Sequence, residues 1–159
     1  MSRDVILTRE GLEKLSEELE VLKTEKRREV SARIKEAREF GDIAENAEFD
    51  DAKNEQAQIE SRIIQLTERL RAATVVDHDD VSTDSVQVGN TVSVTDAGGK
   101  KLTFTIVGSA EADSRAGKLS NESPVGKALL GNKVGDTVNV TVPKGPPREL
   151  KITKIDIGI

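Results

Sequence analysis

Two runs of apolar residues at helical spacing govern what this chain can fold into. From Thr8 to about Phe40, Leu12, Leu15, Leu19 and Leu22 recur in steps of 3, 4 and 3; Lys26 then occupies the seam, and the stripe resumes at Val30, Ile34 and Ala37. A second series, Ala52, Gln56, Ile59, Ile63, Leu66, Leu70 and Ala73, alternates steps of 4 and 3 with one polar member. A helix carrying such a repeat buries one narrow stripe and leaves its other faces to solvent, and here Glu, Lys and Arg fill those faces. The spacing predicts two long helices zipped into an antiparallel coiled-coil hairpin, the first about 50 Å long at 1.5 Å per residue.

The break between the runs is legible residue by residue. Gly41 suits the left-handed position that ends a helix. Asp42 then stands where an N-cap belongs, with Glu45 three residues later, and helical character resumes from Asn46. The hairpin tip is expected near residues 41–46.

After Ala73 the period changes from helical to alternating. Thr74–Val76 reads as a short strand, and Asp77 to Asp84 as an exposed acidic linker. Strands are predicted near Thr91–Thr95, Leu102–Val107, Thr137–Val142 and Leu150–Ile155. One short helix is framed by Ser123 as N-cap, Pro124 at the first helical position, and Gly131 as the stop. The expected fold class is α+β: a coiled-coil arm over residues 1–76, a linker over 77–85 and a small β-rich globular domain over 86–159.

Composition narrows the function classes. Charged residues make up 33% of the 159 and aromatics only 2%, namely three Phe with no Tyr or Trp. The absence of cysteine excludes disulfides, thiol chemistry and thiolate zinc sites. A formal charge of −5 with so few stacking platforms suits a chain that does not itself grip naked nucleic acid. Any RNA or DNA is expected to be held by another protein. The start lacks the apolar run of a signal peptide, and no stretch is apolar enough to span a membrane, so a cytoplasmic location is expected. The two helices can satisfy each other, so a monomer is expected.

The densest functional signal is acidic. Asp42, Glu45, Glu48, Asp50 and Asp51 fall within ten residues that contain no basic group. Two readings of this cluster stand. Asp42 and Glu45 form a passable capping box, with acids favourably placed at a helix start. Alternatively, carboxylates three apart on an open turn share a Mg²⁺ ion. Two carboxylates are too few to hold Mg²⁺ firmly, so that site needs completion by another molecule. A free-standing nuclease is therefore disfavoured. A plain coiled-coil adaptor would explain the heptads but not the acidic point.

The run Ala37-Arg38-Glu39-Phe40-Gly41-Asp42-Ile43-Ala44-Glu45-Asn46-Ala47-Glu48-Phe49, followed by Ala52-Lys53-Asn54-Glu55-Gln56, closely resembles the signature of the Gre family of bacterial transcript-cleavage factors, its GreA type in particular. Leu7-Thr8-Arg9-Glu10-Gly11-Leu12 and Ser123-Pro124-Val125-Gly126-Lys127-Ala128-Leu129-Leu130-Gly131 resemble the family's other blocks, in the same order. The resemblance implies a factor that acts on backtracked bacterial RNA polymerase. An FKBP-like C-terminal domain docks at the secondary channel and the arm enters it. Tip acids at Asp42 and Glu45 help hold Mg²⁺ jointly with the polymerase and orient a water that cuts the nascent RNA 3′ end. The chain would then be no enzyme itself but would lend carboxylates in trans.

The same resemblance places polymerase docking at Glu122, Ser123 and Pro124, and RNA or channel contacts at Lys26, Arg27, Arg28 and Arg38. For the basic cluster the alternative is a solvated helix face paired with Glu25 and Glu29. Phe49 stands where the family usually has Tyr, and Ala44 where a polar residue is common. With Phe104 as its one aromatic, the β-rich domain cannot line a prolyl-binding pocket. A non-cleaving regulator of the same channel is the alternative function, because Asp50 and Asp51 add charge near the tip.

Overall fold

The computed structural model describes residues 5–40, 46–143 and 145–159. The chain divides into two compact units, one spanning Glu13–Ala72 and the other built from the chain up to Leu12 together with Ala73–Ile159. This differs from the expected arm over 1–76, and the reason lies in two short strands. Strand β1 (Val5–Thr8) and strand β2 (Ala73–Val76) pair in parallel, Val5 opposite Ala73 and Thr8 opposite Val76. The backbone groups at the two ends of the helical segment thus pair with each other.

Leu7 and Thr8 are both buried. The Thr8 backbone N–H and hydroxyl donate to the Glu111 carboxylate at 2.8 and 2.5 Å. The same hydroxyl accepts from the Gly11 N–H at 3.1 Å, capping helix α1 (Arg9–Val21). A Cβ on Gly11 would stand 2.1 Å from Glu111 Cδ, so this approach needs glycine.

In the helical unit, α1 runs without a break into a π-helical turn (Leu22–Lys26) and on into α2 (Arg27–Glu39). The sequence explains the π turn. Leu22 and Val30 lie eight residues apart, one more than a heptad, and a π turn absorbs one residue. Leu22 and Val30 are thereby returned to one face, and both pack in the same cluster. Lys26, expected in the seam, is instead exposed and pairs with Glu29 at 3.5 Å.

Helix α3 (Ala47–Arg71) lies against α2. Cross-helix pairs run Ala37 with Asn46, Arg33 with Glu55 and Arg27 with Glu60, so one number falls as the other rises. That order makes the pair antiparallel, as the heptads predict. Val30, Ile34, Ala52, Ile59 and Ile63 form its buried seam, with Leu19, Leu22 and Phe49 packed alongside.

The other unit is dominated by a five-stranded sheet of order β5-β4-β3-β7-β6, made of β3 (Asn90–Asp96), β4 (Lys101–Val107), β5 (Lys118–Ser120), β6 (Thr137–Val140) and β7 (Arg148–Ile157). Neighbours are antiparallel except β4 and β5. Val92, Val94, Ile106, Val140, Leu150 and Ile152 build its core, closed by Leu129 of helix α4 (Pro124–Leu129). The four alternating runs thus form the strands expected of them. Strand β5 escaped the pattern because three residues are too few to show a period.

The stretch expected as an exposed linker is structured. A single 3₁₀ turn at His78–Asp80 carries a capping box between Asp77 and Asp80, and Val81 beyond it is buried. Asn90, fully buried, accepts from Gln87 N at 2.7 Å and donates to the Ser82 and Asp156 carbonyls at 2.9 and 3.0 Å. One amide therefore ties this segment to the sheet with its hydrogen-bonding capacity largely used. His78 Nδ1 lies 2.8 Å from the Ile159 carbonyl.

Candidate functional site

The end of the helical pair is built by four side chains with complementary tasks. Helix α2 ends at Glu39, with Phe40 as its C-cap. Helix α3 starts at Ala47, and its N-cap is Asn46, whose side chain accepts from Phe49 N at 3.1 Å. This corrects the expectation that Asp42 caps the second helix. Asn ranks with Asp as a cap, and it directly precedes the helical Ala47-Glu48-Phe49, which is the signal that could have found it. The Asn46 Nδ2 also donates to the Ala37 carbonyl at 2.6 Å, joining the end of α2 to the start of α3. Asp42 and Glu45, the two expected tip acids, lie in 41–45, outside the described residues.

Beside this junction, the Arg38 guanidinium stands 5.9 Å from the centre of the Phe49 ring, a cation–π distance. Phe49 is half-buried and packs against the seam of the helix pair, whereas Phe40 is 78% exposed. Arg33, which sequence reasoning missed, reaches across from α2 to Glu48 at 2.6 Å and also pairs with Glu55. The hydrogen bond that Arg33 donates to Glu48 comes first, and the charges of Glu48, Glu55 and Asp51 add to it, holding the Arg33 guanidinium above its ordinary pKa. Arg33 therefore offsets part of the acidic cluster, and Glu48 is committed to it. Asp50 is exposed and makes no ion pair among the described residues.

The proposed basic contacts separate in the structure. Arg27 makes a two-pronged pair with Glu60 at 2.8 and 2.9 Å. That hydrogen bond raises the guanidinium pKa and lowers that of Glu60. Lys26 is taken by Glu29. Arg28 is exposed and makes no ion pair among the described residues. Arg38 is exposed beside the junction. Of these four residues only Arg27 fastens α2 to α3 by an ion pair; Lys26 pairs within its own helical run, Arg38 lies over the Phe49 ring, and Arg28 makes no ion pair among the described residues.

The residues expected to dock sit together in the other unit. Ser123 caps α4 by accepting from Gly126 N at 3.1 Å, and its hydroxyl donates to the Ser120 carbonyl at 2.6 Å. Glu122 accepts from the Ser109 hydroxyl at 2.8 Å, and its N–H donates to the Ser120 hydroxyl at 3.0 Å. A Cβ on Gly126 would meet the Ser120 carbonyl oxygen at 2.1 Å. These bonds tie the segment to β5 and to the start of α4. It presents Glu122 and Pro124 outward, while Ser123 is used by the cap.

Among the described residues no group of three or more His, Asp or Glu side chains could hold a metal ion. No described helix is long and apolar enough to cross a membrane.

Comparison with known proteins decides what this arrangement belongs to. Residues 5–75 match the family described as transcription elongation factor, N-terminal, and residues 81–157 match transcription elongation factor, GreA/GreB, C-term. The chain belongs to the GreA/GreB family of transcription elongation factors. Transcription elongation factor GreA of Thermoanaerobacter pseudethanolicus is 57% identical over 156 residues, 98% of this chain and 99% of that protein. Transcription elongation factor GreA of Acetivibrio thermocellus is 57% identical over 145 residues, 91% of each. The crystal structure of GreA factor homolog 1 (Gfh1) protein of Thermus thermophilus is 34% identical, covers 97% of this chain and 99% of that chain, and has a TM-score of 0.45. The three GreA/GreB blocks in the sequence acquire physical reasons in this fold: the Gly11 approach to Glu111, the Asn46 junction, and the Ser123 cap with Gly126 against β5.

Proposed function

We propose that this GreA/GreB chain is an elongation factor that acts on backtracked bacterial RNA polymerase through the secondary channel and stimulates hydrolytic cleavage of the nascent RNA 3′ end. The observation that carries this reading is where the acids fall. Asp42 and Glu45 belong to the seven residues, 40–46, that join two antiparallel helices, whereas the nearby Glu48 is already bound to Arg33. Two carboxylates in the segment that connects a helical pair suit a reagent delivered into another molecule's site.

Their donor set, two hard oxygens of the six that Mg²⁺ prefers, fits an ion completed by the polymerase. Bound there, Mg²⁺ supplies Lewis acidity and a polarised water at neutral pH. The chain's own contribution is to bring the carboxylates of Asp42 and Glu45 to that place and to orient the attacking water by accepting its hydrogen bonds. Arg28 and Arg38, unpaired by acids among the described residues, face RNA phosphate or the channel wall. Glu122 and Pro124 meet the polymerase at the channel rim, in a segment whose geometry is set by Ser109, Ser120 and Ser123.

A nascent-RNA cleavage assay on backtracked elongation complexes with Mg²⁺ tests this. Wild type should shorten the RNA. Asp42→Ala and Glu45→Ala should bind as well as wild type and cut at least 100-fold more slowly, the scale on which positioned electrostatic groups act. Binding that slows the polymerase without cutting would instead support a non-cleaving channel regulator, and absence of binding would remove both readings.

A further inference from the structure

We infer that Glu111 is a positioning residue for docking, holding the turn from which Ser109 aims the Glu122 carboxylate. This rests on the reading of Glu122 as a polymerase contact and deepens it.

Glu122 is exposed and makes no ion pair among the described residues, so its charge is open to a cationic group on a partner. A closed cycle of hydrogen bonds sets its direction. The Glu122 N–H donates to the Ser120 hydroxyl at 3.0 Å, and the Ser109 hydroxyl donates to the Glu122 carboxylate at 2.8 Å. The two serine hydroxyls stand 2.7 Å apart. Each hydroxyl has one proton, and that of Ser109 is given to Glu122, so Ser120 is the donor between them. The cycle leaves Glu122 at its backbone and returns to it at its carboxylate, and bonds in such a ring reinforce one another.

Ser120 belongs to β5, but Ser109 stands on a single 3₁₀ turn, Ser109–Glu111, that has no buried residue. Core packing therefore does not fix the turn; two contacts with β1 do. Gly108, just before it, lies so near that a Cβ would stand 1.7 Å from the Ile6 carbonyl oxygen. Glu111, its last residue, accepts from the Thr8 N–H and hydroxyl at 2.8 and 2.5 Å. The Glu111 N–H closes the turn on the Gly108 carbonyl at 3.0 Å, so both anchors and Ser109 move as one short piece. Releasing Glu111 frees one end of that piece and with it the hydroxyl that holds the carboxylate. A side chain already held in its bound direction loses less entropy on association, so the anchor on β1 raises affinity without touching the partner.

The dissociation constant of the full chain for cognate bacterial RNA polymerase tests this. Glu122→Ala should weaken binding, and Glu111→Ala should weaken it about five-fold, the scale of one hydrogen bond. Because Glu111 acts through Glu122, adding Glu111→Ala to Glu122→Ala should cost less than about a further two-fold. Thr8 is only 3% exposed and cannot itself reach a partner. Thr8→Val, which removes one of the two bonds to Glu111, should weaken binding about three-fold, whereas Thr8→Ser keeps the hydroxyl and should restore wild-type affinity. Thermal melting followed by circular dichroism shows which variants are folded at the assay temperature; if Glu111→Ala is not, Thr8→Val carries the same test of non-additivity with Glu122→Ala. A merely structural clasp would lower the melting temperature and leave affinity unchanged, or would add its full loss to that of Glu122→Ala. Either result overturns the positioning role and leaves the docking reading intact. If Glu122→Ala binds as wild type does, the docking reading of Glu122 falls and the positioning role falls with it.

Discussion

Gly126 and Gly11 are both glycines of close approach, but the neighbour differs, and that difference predicts their cost. A Cβ at Gly126 would meet a backbone oxygen, Ser120 O, at 2.1 Å, whereas at Gly11 it would meet the Glu111 carboxyl group. A carboxylate can rotate away, losing its bonds to Thr8; a strand carbonyl in a packed unit cannot move without shifting the sheet. Gly126→Ala is therefore expected to destabilise by about 2–3 kcal/mol, in the range of overpacked cores. Gly11→Ala should cost roughly half of that, mainly as lost hydrogen bonds of about 1 kcal/mol each. Urea titrations of the two variants check the ranking, and a larger loss at Gly11 would mean that Glu111 is held as rigidly as backbone. Asn90 sits at the same scale: its three bonds convert a polar side chain in a buried position into a fastener for a whole segment.

Within the long helix, the π turn is a consequence of counting. Eight residues separate Leu22 from Val30, and an α-helix would carry Val30 about 80° off the seam at roughly 100° per residue. The π turn pays a local cost in hydrogen-bond geometry so that Val30, Ile34 and Ala37 keep their buried positions. Deleting Thr24, an exposed member of that turn, restores a seven-residue step. The deletion variant is expected to melt no lower than wild type when helix content is followed at 222 nm. Inserting one Ala after Thr24 should cost about 3 kcal/mol or more, because at least one large apolar side chain leaves the seam. Equal melting of the two variants would show that phase does not govern this helix. The exposed pairs Arg27–Glu60 and Arg33–Glu48 set register more than stability, since solvent-facing ion pairs contribute little.

For the molecule as a whole, chain order and unit membership part company. The β-rich unit is assembled from both sides of the helical segment, with β1 contributed from before it and the remaining strands from after it. Leu7, near the start of the chain, is fully buried in that unit. Leu7→Ala is expected to cost about 2–5 kcal/mol, the usual range for a buried leucine. Amide hydrogen exchange should report the loss in β2 and its surroundings rather than in the seam of α2 and α3. Loss of protection confined to the helical pair would contradict the division into units. The organisation also separates tasks: the residues read as docking belong to one unit and those read as cleaving belong to the other.

The parts that the sequence determined by itself are those coded by short-range periodicity. Two helices, their antiparallel pairing, five of the strands and the cap of α4 by Ser123 were all readable from stretches of a few residues, and each is present. The acidic cluster was also legible, because charge density needs no structure to be counted. What only the tertiary structure decided depends on residues far apart in the chain. The pairing of β1 with β2, the grip of Glu111 on Thr8, and the reach of Arg33 to Glu48 and Glu55 join positions with no common period. Asn46 belongs to both classes. Its cap was readable from the residue type, but its bond to Ala37 exists only because two helices return to meet, and no local pattern encodes where a chain comes back upon itself.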